Sequence, residues 1–247
     1  MVEQQLMLLK RMDSYFITNK GARKSNQDVV LVKSLGKYNN LYLLADGMGG
    51  YKNGAYAANF ITSNLYEELK SLQNIDRESI QKKVNKTTKA LTLENEKLES
   101  KMGATLGGVI QSSNDLHCFW VGDVKIWHIK HGQIVFESVE HNLKNELIEN
   151  KVFVEASNAK KYNHIVTRAI QNDIKKAKIG YKLIIDFKPG DYVLIASDGV
   201  TDVLGVHQLL EIVNSKQKET DKLSQLDDWL QKNAQDNYSL ISIFQGS

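Results

Sequence analysis

Leu41-Tyr42-Leu43-Leu44-Ala45-Asp46-Gly47-Met48-Gly49-Gly50 reads as a buried strand that delivers a carboxylate straight into a glycine turn. The apolar run before Asp46 contains no polar break, as in a strand covered on both faces. Glycine lacks a Cβ, so the backbone after Asp46 can take unusual dihedrals and bring a carbonyl close to a ligand. A carboxylate beside such a carbonyl outlines a site for a hard cation, which prefers oxygen donors.

The pattern recurs along the chain. The apolar run 118–121 leads into Gly122-Asp123, and the run 193–197 leads into Asp198-Gly199. Asp236-Asn237 opens the last apolar run, and Asp28 begins the strand that follows Arg23-Lys24-Ser25-Asn26-Gln27. A single Asp-Gly pair is ordinary turn punctuation. Several acids at strand ends that converged would repel one another, and bound cations would relieve that repulsion. An all-oxygen donor set selects Mg²⁺ or Mn²⁺. Softer sites are missing: Cys118 is the only cysteine and no His-Glu-x-x-His occurs. The histidines are scattered, and His117 and His128 read as strand residues rather than ligands.

Other motifs fail. Gly47-Met48-Gly49 lacks the third glycine of a dinucleotide fingerprint, no phosphate loop is present, and Ser197 lies in Ala196-Ser197-Asp198-Gly199 rather than in a nucleophile elbow.

Working outward, strands are expected over 15–18, 28–35 and 41–45, then helices over 53–72 and 76–98, with Asp76 as N-cap. Ala57, Phe60, Ile61, Leu65 and Leu69 share one face of the first helix. The period then changes to that of strands over 104–111, 116–121, 125–130 and 133–138, with turns at Asn114-Asp115 and His131-Gly132. Residues 141–177 are polar and poorly periodic, so an irregular, partly helical excursion is expected. Strands return over 181–187 and 192–197, flanking Lys188-Pro189-Gly190-Asp191. Helices over 206–215 and 221–234 and a strand over 238–245 follow. Thr105 and Leu106 read as core, Asp202 as a helix-start cap, and Trp120, Trp127 and Trp229 as packing residues. Hairpin-linked strands outnumber crossover helices, which argues an α+β fold with antiparallel sheets.

The bulk numbers agree. The chain has 247 residues, 42% hydrophobic and 25% charged, an ordinary globular composition. No Pro/Gly/Ser-rich linker divides it, so a single domain over 1–247 is expected. Its lone cysteine suits a reducing, cytoplasmic setting. Glu3, Lys10 and Arg11 interrupt the apolar N-terminus, which argues against a signal peptide. No apolar run approaches the roughly 20 residues of a membrane span. A net charge of +3, dispersed along the chain, does not suggest nucleic acid.

Taken together, the motifs resemble the metal-dependent protein phosphatases of the protein phosphatase 2C family. The match is ordered: residues 21–28, Ala45–Gly50 with Gly54-Ala55-Tyr56-Ala57-Ala58, Met102–Leu106, Val121-Gly122-Asp123, the looser Glu140-His141-Asn142 and Val166–Ile170, then Ala196–Asp202 and Asp236-Asn237. The resemblance implies a four-layer αββα sandwich, two antiparallel sheets flanked by helix pairs, with two Mn²⁺ or Mg²⁺ ions at one end. Asp46 would bridge the metals, Asp198 and Asp236 would bind the first, and the Gly47 carbonyl the second. Asp28 would act through metal-bound water. Asp123, with Asp198, would serve a third, weaker site. Arg23 would hold the substrate phosphate, where its permanent charge and forked donors outdo lysine.

The implied activity is hydrolysis of phosphoserine and phosphothreonine in proteins by in-line attack of a metal-bridging water. Paired metals answer the chemical problem, since a phosphate dianion repels hydroxide and hydrolyses extremely slowly unaided. The implied partners are phosphorylated protein substrates and an opposing serine/threonine protein kinase, with no nucleic acid, no membrane, and a monomeric chain. Met48 stands where animal members often carry His, which points to the bacterial branch. The proton donor is then a metal-bound water ahead of His141 or His164. Gln27 replaces a common Glu, Val124-Lys125 replaces the usual Ser-Arg, and residues 141–177 match the family's flap in position rather than sequence. Gln27 and the altered flap motivate one alternative, a weakly active or inactive phosphoprotein-binding relative; a second is another two-metal hydrolase, acting on small phosphoesters.

Overall fold

The computed structural model describes residues 12–36, 39–48 and 51–245. The N-terminal reading over 1–11 and Gly49-Gly50 lie outside the described residues.

The third strand, β3 (Asn39–Met48), sets the layering. Side chains alternate faces along a strand. Leu41, Leu43 and Ala45 pack against two helices, α1 (Tyr51–Leu69) and α2 (Arg77–Lys97). Tyr42 and Leu44 face the opposite way, into the space between two sheets. By the same alternation Asp46 belongs to the inter-sheet face, at its very end.

The first sheet runs β2 (Asp28–Ser34), β3, β4 (Gly103–Ser112), β5 (Asp115–Val121), β8 (Gly180–Ile184). The second runs β1 (Met12–Asn19), β10 (Tyr238–Gln245), β9 (Tyr192–Ala196), β6 (Lys125–Lys130), β7 (Gln133–Glu137). Every pairing is antiparallel. The outer face of the second sheet is covered by α6 (Val206–Asn214) and α7 (Glu219–Asn233), whose Leu209, Leu226 and Leu230 pack on Leu194 and Leu240. Three apolar cores thus separate four layers, the expected αββα sandwich.

Between β7 and β8 the chain forms α3 (Leu143–Glu149), α4 (Ala156–Asn163) and a 3-10 turn at Ile174–Ala177. This excursion is tied down at both ends. The His141 N–H donates to the Gly122 carbonyl and the His141 carbonyl accepts the Thr167 N–H, and Ile170 exchanges a pair with Ala104 at 3.0 Å each way.

Several boundaries differ from the sequence reading. β3 does not stop at Ala45: Asp46, Gly47 and Met48 remain paired with Thr105, Ala104 and Gly103, so the acid sits inside the ladder. Glycine at 47 serves close packing there rather than a turn. α1 runs Tyr51–Leu69 instead of 53–72. The β4–β5 hairpin turns on Ser113-Asn114, because Ser112 pairs with Asp115; Ser113 takes the positive φ of 56°. A one-turn helix, α5 (Asp198–Thr201), was not expected, and Asp202 closes that turn instead of starting the next helix. His131-Gly132 turns as expected, with φ of 50° and 75°, the both-positive geometry that fits strand twist.

Candidate metal centre

Strand register gathers the first acids. Asp28 lies directly opposite Asp46, and Asp46 directly opposite Thr105, so the three share one row on the inter-sheet face. Asp28 and Thr105 are buried, whereas Asp46 keeps part of its surface open.

The second sheet approaches from across the sandwich. Alternation along β9 puts Val193 and Ile195 on the inter-sheet face, and Ser197 continues their row. Ser197 is fully buried; its Oγ donates to Asp28 Oδ2 at 2.8 Å and accepts from the Ser239 N–H at 2.9 Å. This hydroxyl joins the two sheets at the site. Asp198 then opens α5, whose single turn also brings Asp202 round.

Asp236 stands just before β10. Its Oδ2 accepts from the Arg23 guanidinium at 2.7 Å. The loop carrying Arg23 is fixed by Asn237, which is buried. Its Oδ1 accepts the Gln27 N–H, and its Nδ2 donates to the Lys20 and Ser25 carbonyls, all at 2.9 Å. Gly21 completes the clamp at φ 54°, where a Cβ would fall 2.1 Å from the Asp236 carbonyl oxygen. The Gly47 N–H donates to the Gln27 carbonyl at 3.2 Å. Its own carbonyl oxygen faces Gly54 of α1, where a Cβ would lie 2.7 Å away, so the strand–helix contact requires glycine there.

Asp123 follows β5 in the Gly122 turn. Gly122 donates its N–H to His141 Nδ1 at 3.1 Å, and the His141 ring stacks on Trp120. Burial, reinforced by the Arg168 charge, pushes His141 down to about 4. His141 is therefore neutral near pH 7.

The electrostatics follow from so many acids sharing a poorly solvated place. Burial comes first in every case. It pushes Asp28 up to about 6, aided by the charge of Asp236 and opposed by the Ser197 hydrogen bond. Asp198 rises to about 7, helped by Asp123 and Asp202, and Asp123 to about 6, helped by Glu140 and Asp202. Asp46 stands well above the usual carboxylate range, raised by burial and then by Asp28, Asp198, Asp123 and Asp236. Among the described residues no three His, Cys, Asp or Glu close into a ready ligand group. Register and hydrogen bonds nevertheless bring the acids to one end: Asp28 lies opposite Asp46, Ser197 beside Asp198 bonds Asp28, and Asn237 beside Asp236 holds the Gln27 N–H.

These residues fit hard divalent ions. The donors are all oxygens, and Asp28 Oδ1 is buried with no hydrogen-bond partner. Every residue singled out from sequence, Arg23, Asp28, Asp46, Gly47, Asp123, Asp198 and Asp236, comes to this end of the sandwich. Sequence reasoning gave Ser197 no place in the site and read Asp202 as a cap only; Thr105 is core as expected, though it shares the row of the acids. Strand alternation counted back from Ser197 to Val193 would have found the serine, and the i, i+4 spacing from Asp198 the second acid.

Comparison with known proteins agrees with the geometry. Protein phosphatase PhpP of Streptococcus pneumoniae is 28% identical over 232 residues, covering 87% of this chain and 89% of that protein. The solved serine/threonine phosphatase of S. agalactiae superposes with a TM-score of 0.85 at 22% identity, covering 95% of this chain and 99% of that one. The catalytic domain of the phosphatase PstP, solved with 2 manganese ions, superposes at 0.77 with 19% identity, covering 96% and 99%. The protein phosphatase 2C family model matches residues 19–237, and so takes in the Arg23 loop, both sheets' acids and Asp236-Asn237. The chain belongs to the protein phosphatase 2C family.

Proposed function

We propose that the chain is a metal-dependent protein serine/threonine phosphatase of the bacterial type. One observation carries this reading: Asp28 and Asp46, paired in one sheet, and Asp198 and Asp236, flanking β9 and β10 of the other, lie at one end of the sandwich, where the Ser197 hydroxyl bonds Asp28. The names of the relatives supply the substrate class, phosphoserine and phosphothreonine in proteins. That both sheets build one site also supports reading residues 1–247 as a single domain.

Asp46, Asp198, Asp236 and the Gly47 carbonyl would hold two divalent cations, and the manganese ions of PstP favour Mn²⁺. Bound there, such cations would supply a nucleophilic water of lowered pKa and offset charge on the phosphoryl oxygens. The neighbourhood of Asp123 and Asp198 would serve a third, weaker ion. Arg23 lies at the rim, 61% exposed, and orients the phosphate with its guanidinium; its pairing with Asp236 keeps it beside the metal ligands. Asp28, held by Ser197, accepts a proton or a water hydrogen through its unpartnered oxygen. Neutral His141 accepts a backbone N–H at Nδ1, and so pins the 141–177 segment rather than protonating a leaving group.

Among the described residues no helix is long and apolar enough to cross a membrane. The phosphorylated proteins it acts on imply an opposing serine/threonine kinase.

The test is hydrolysis of an aryl phosphate and a phosphothreonine peptide with Mn²⁺, with Mg²⁺ and with chelator. Metal-dependent turnover of both substrates is expected. No turnover with either ion would sink the reading, and turnover of the aryl phosphate alone would favour a small-phosphoester hydrolase.

A further inference from the structure

A cleft lies away from the acids, where the first turns of α2 face the segment that runs out of the 141–177 excursion into β8. It measures about 690 Å³ and carries Arg77 and Lys82 on the helix wall and Lys175 and Lys178 on the other, against the single acid Glu78. All four cations are exposed, and among the described residues none forms an ion pair.

Surface lysines are usually a solvated face, but three features set these apart. The flanking acids Asp76 and Asp173 are engaged in local hydrogen bonds, and only Asp76 also feels a cleft cation, Lys82. Asp76 caps α2, accepting from Ser79 N and Oγ at 2.8 Å, and Asp173 accepts from Lys175 N at 2.8 Å. The walls are fixed to each other. Gln81 donates to the Ala177 carbonyl at 3.0 Å and accepts the Ile179 N–H at 2.9 Å, so the cleft is preorganised. The cations line opposite walls, with Ile174 offering an apolar contact between them. Such a spread does not converge on a point, as a small-anion site would, and suits an extended run of carboxylates.

We infer that this cleft docks an acidic polypeptide segment of the phosphoprotein substrate. The inference rests on the phosphatase reading and adds a substrate feature to it. The far wall belongs to the stretch whose Ile170 is hydrogen-bonded to Ala104, beside the acid row. Ile170 and Lys178 are eight residues apart, so at most about 29 Å of chain separates them. A substrate with acids roughly eight to ten residues from its phosphothreonine can therefore fill both places at once.

The experiment uses two phosphothreonine peptides, one with four Glu placed eight residues from the phosphothreonine and one with Gln instead, with aryl phosphate as control. The parent protein and the exposed-site variant K82E/K175E/K178E are compared with Mn²⁺ at low salt. The parent is expected to show about a tenfold lower KM for the Glu peptide, an advantage the variant loses. Aryl phosphate turnover should be equal in both proteins. Equal KM for the two peptides in the parent, or an advantage that survives in the variant, overturns the proposal. Should the parent hydrolyse nothing, the phosphatase reading fails. Fluorescence anisotropy of a labelled, unphosphorylated Glu peptide then decides docking alone: binding to the parent only upholds it, and equal or absent binding refutes it.

Discussion

Replacing Asp198 by Asn should make the metal-free protein more stable and the metal-loaded protein less so. Burial and neighbouring acids raise Asp198 from 3.8 to about 7. The folded state therefore holds its proton more tightly than the unfolded chain does. Stability is greatest below the unfolded value and declines as pH rises through the folded one. At pH 8 the ionised group opposes folding by on the order of 4 kcal/mol, taking about 1.36 kcal/mol per pH unit. Asn keeps the shape without the charge, and relaxation of the neighbouring acids recovers part of the penalty. A gain of about 2 kcal/mol is thus expected, or roughly 4–8 °C in Tm for a chain of this size. Mn²⁺ reverses the order. At a hundredfold excess over Kd each site adds about 2.7 kcal/mol to the parent, whereas the variant lacks a ligand. The assay is thermal unfolding at pH 8 with chelator and with Mn²⁺. Two crossing Tm orders are the expected signature. A variant no more stable than the parent in chelator, together with an undiminished Mn²⁺ shift, would refute the placing of Asp198 among repelling metal ligands.

Other consequences can be measured alongside. In chelator, the parent Tm should fall between pH 5 and 8, because Asp28, Asp123 and Asp198 all ionise there against raised pKa values; with Mn²⁺ the fall should vanish or invert, and a pH-independent chelator curve would contradict the electrostatics. Arg23→Ala should raise KM for phosphopeptides about tenfold or more while leaving Mn²⁺ affinity by calorimetry intact; a large loss of metal affinity would count against its phosphate role. Asn237→Ala removes the side-chain hydrogen bonds to Gln27, Lys20 and Ser25, which should lower stability by about 2–4 kcal/mol in denaturant titration and raise KM through the loosened Arg23 loop. Gly54→Ala places a methyl group 2.7 Å from both the Gly47 oxygen and Gln27 Nε2; reduced Mn²⁺ affinity is expected, and unaltered binding would show that the contact does not set the carbonyl.

The layering was legible because β3 and β9 are short unbroken apolar runs that lead into Asp-Gly, as strands covered on both faces are, and α1 carries a regular apolar stripe. Asp28, Asp46, Asp198 and Asp236 were legible as acids at strand ends. What escaped depended on partners distant in sequence. Nothing local to Ala196-Ser197-Asp198-Gly199 says that the hydroxyl of Ser197 crosses to Asp28, 169 residues away. The continuation of β3 through Gly47 needed Gly103-Ala104-Thr105 as its ladder partner, and glycine by itself reads as a stop. α5 is a single turn, too short for a periodic signal. Arg23's hold on Asp236 likewise joins opposite ends of the chain.

Among the described residues the first and last strands, β1 and β10, lie side by side from Met12↔Gln245 to Asn19↔Tyr238. During synthesis, β1 emerges before its partner and stays unpaired while residues 20–237 follow. The Arg23 loop waits as well, since its clamp Asn237 arrives with β10. A ribosome-bound fragment thus has its first acids but neither Asp236 nor a seated arginine. A chain cut before β10 is therefore expected to be inert, with an unpaired strand edge, rather than a partly active enzyme.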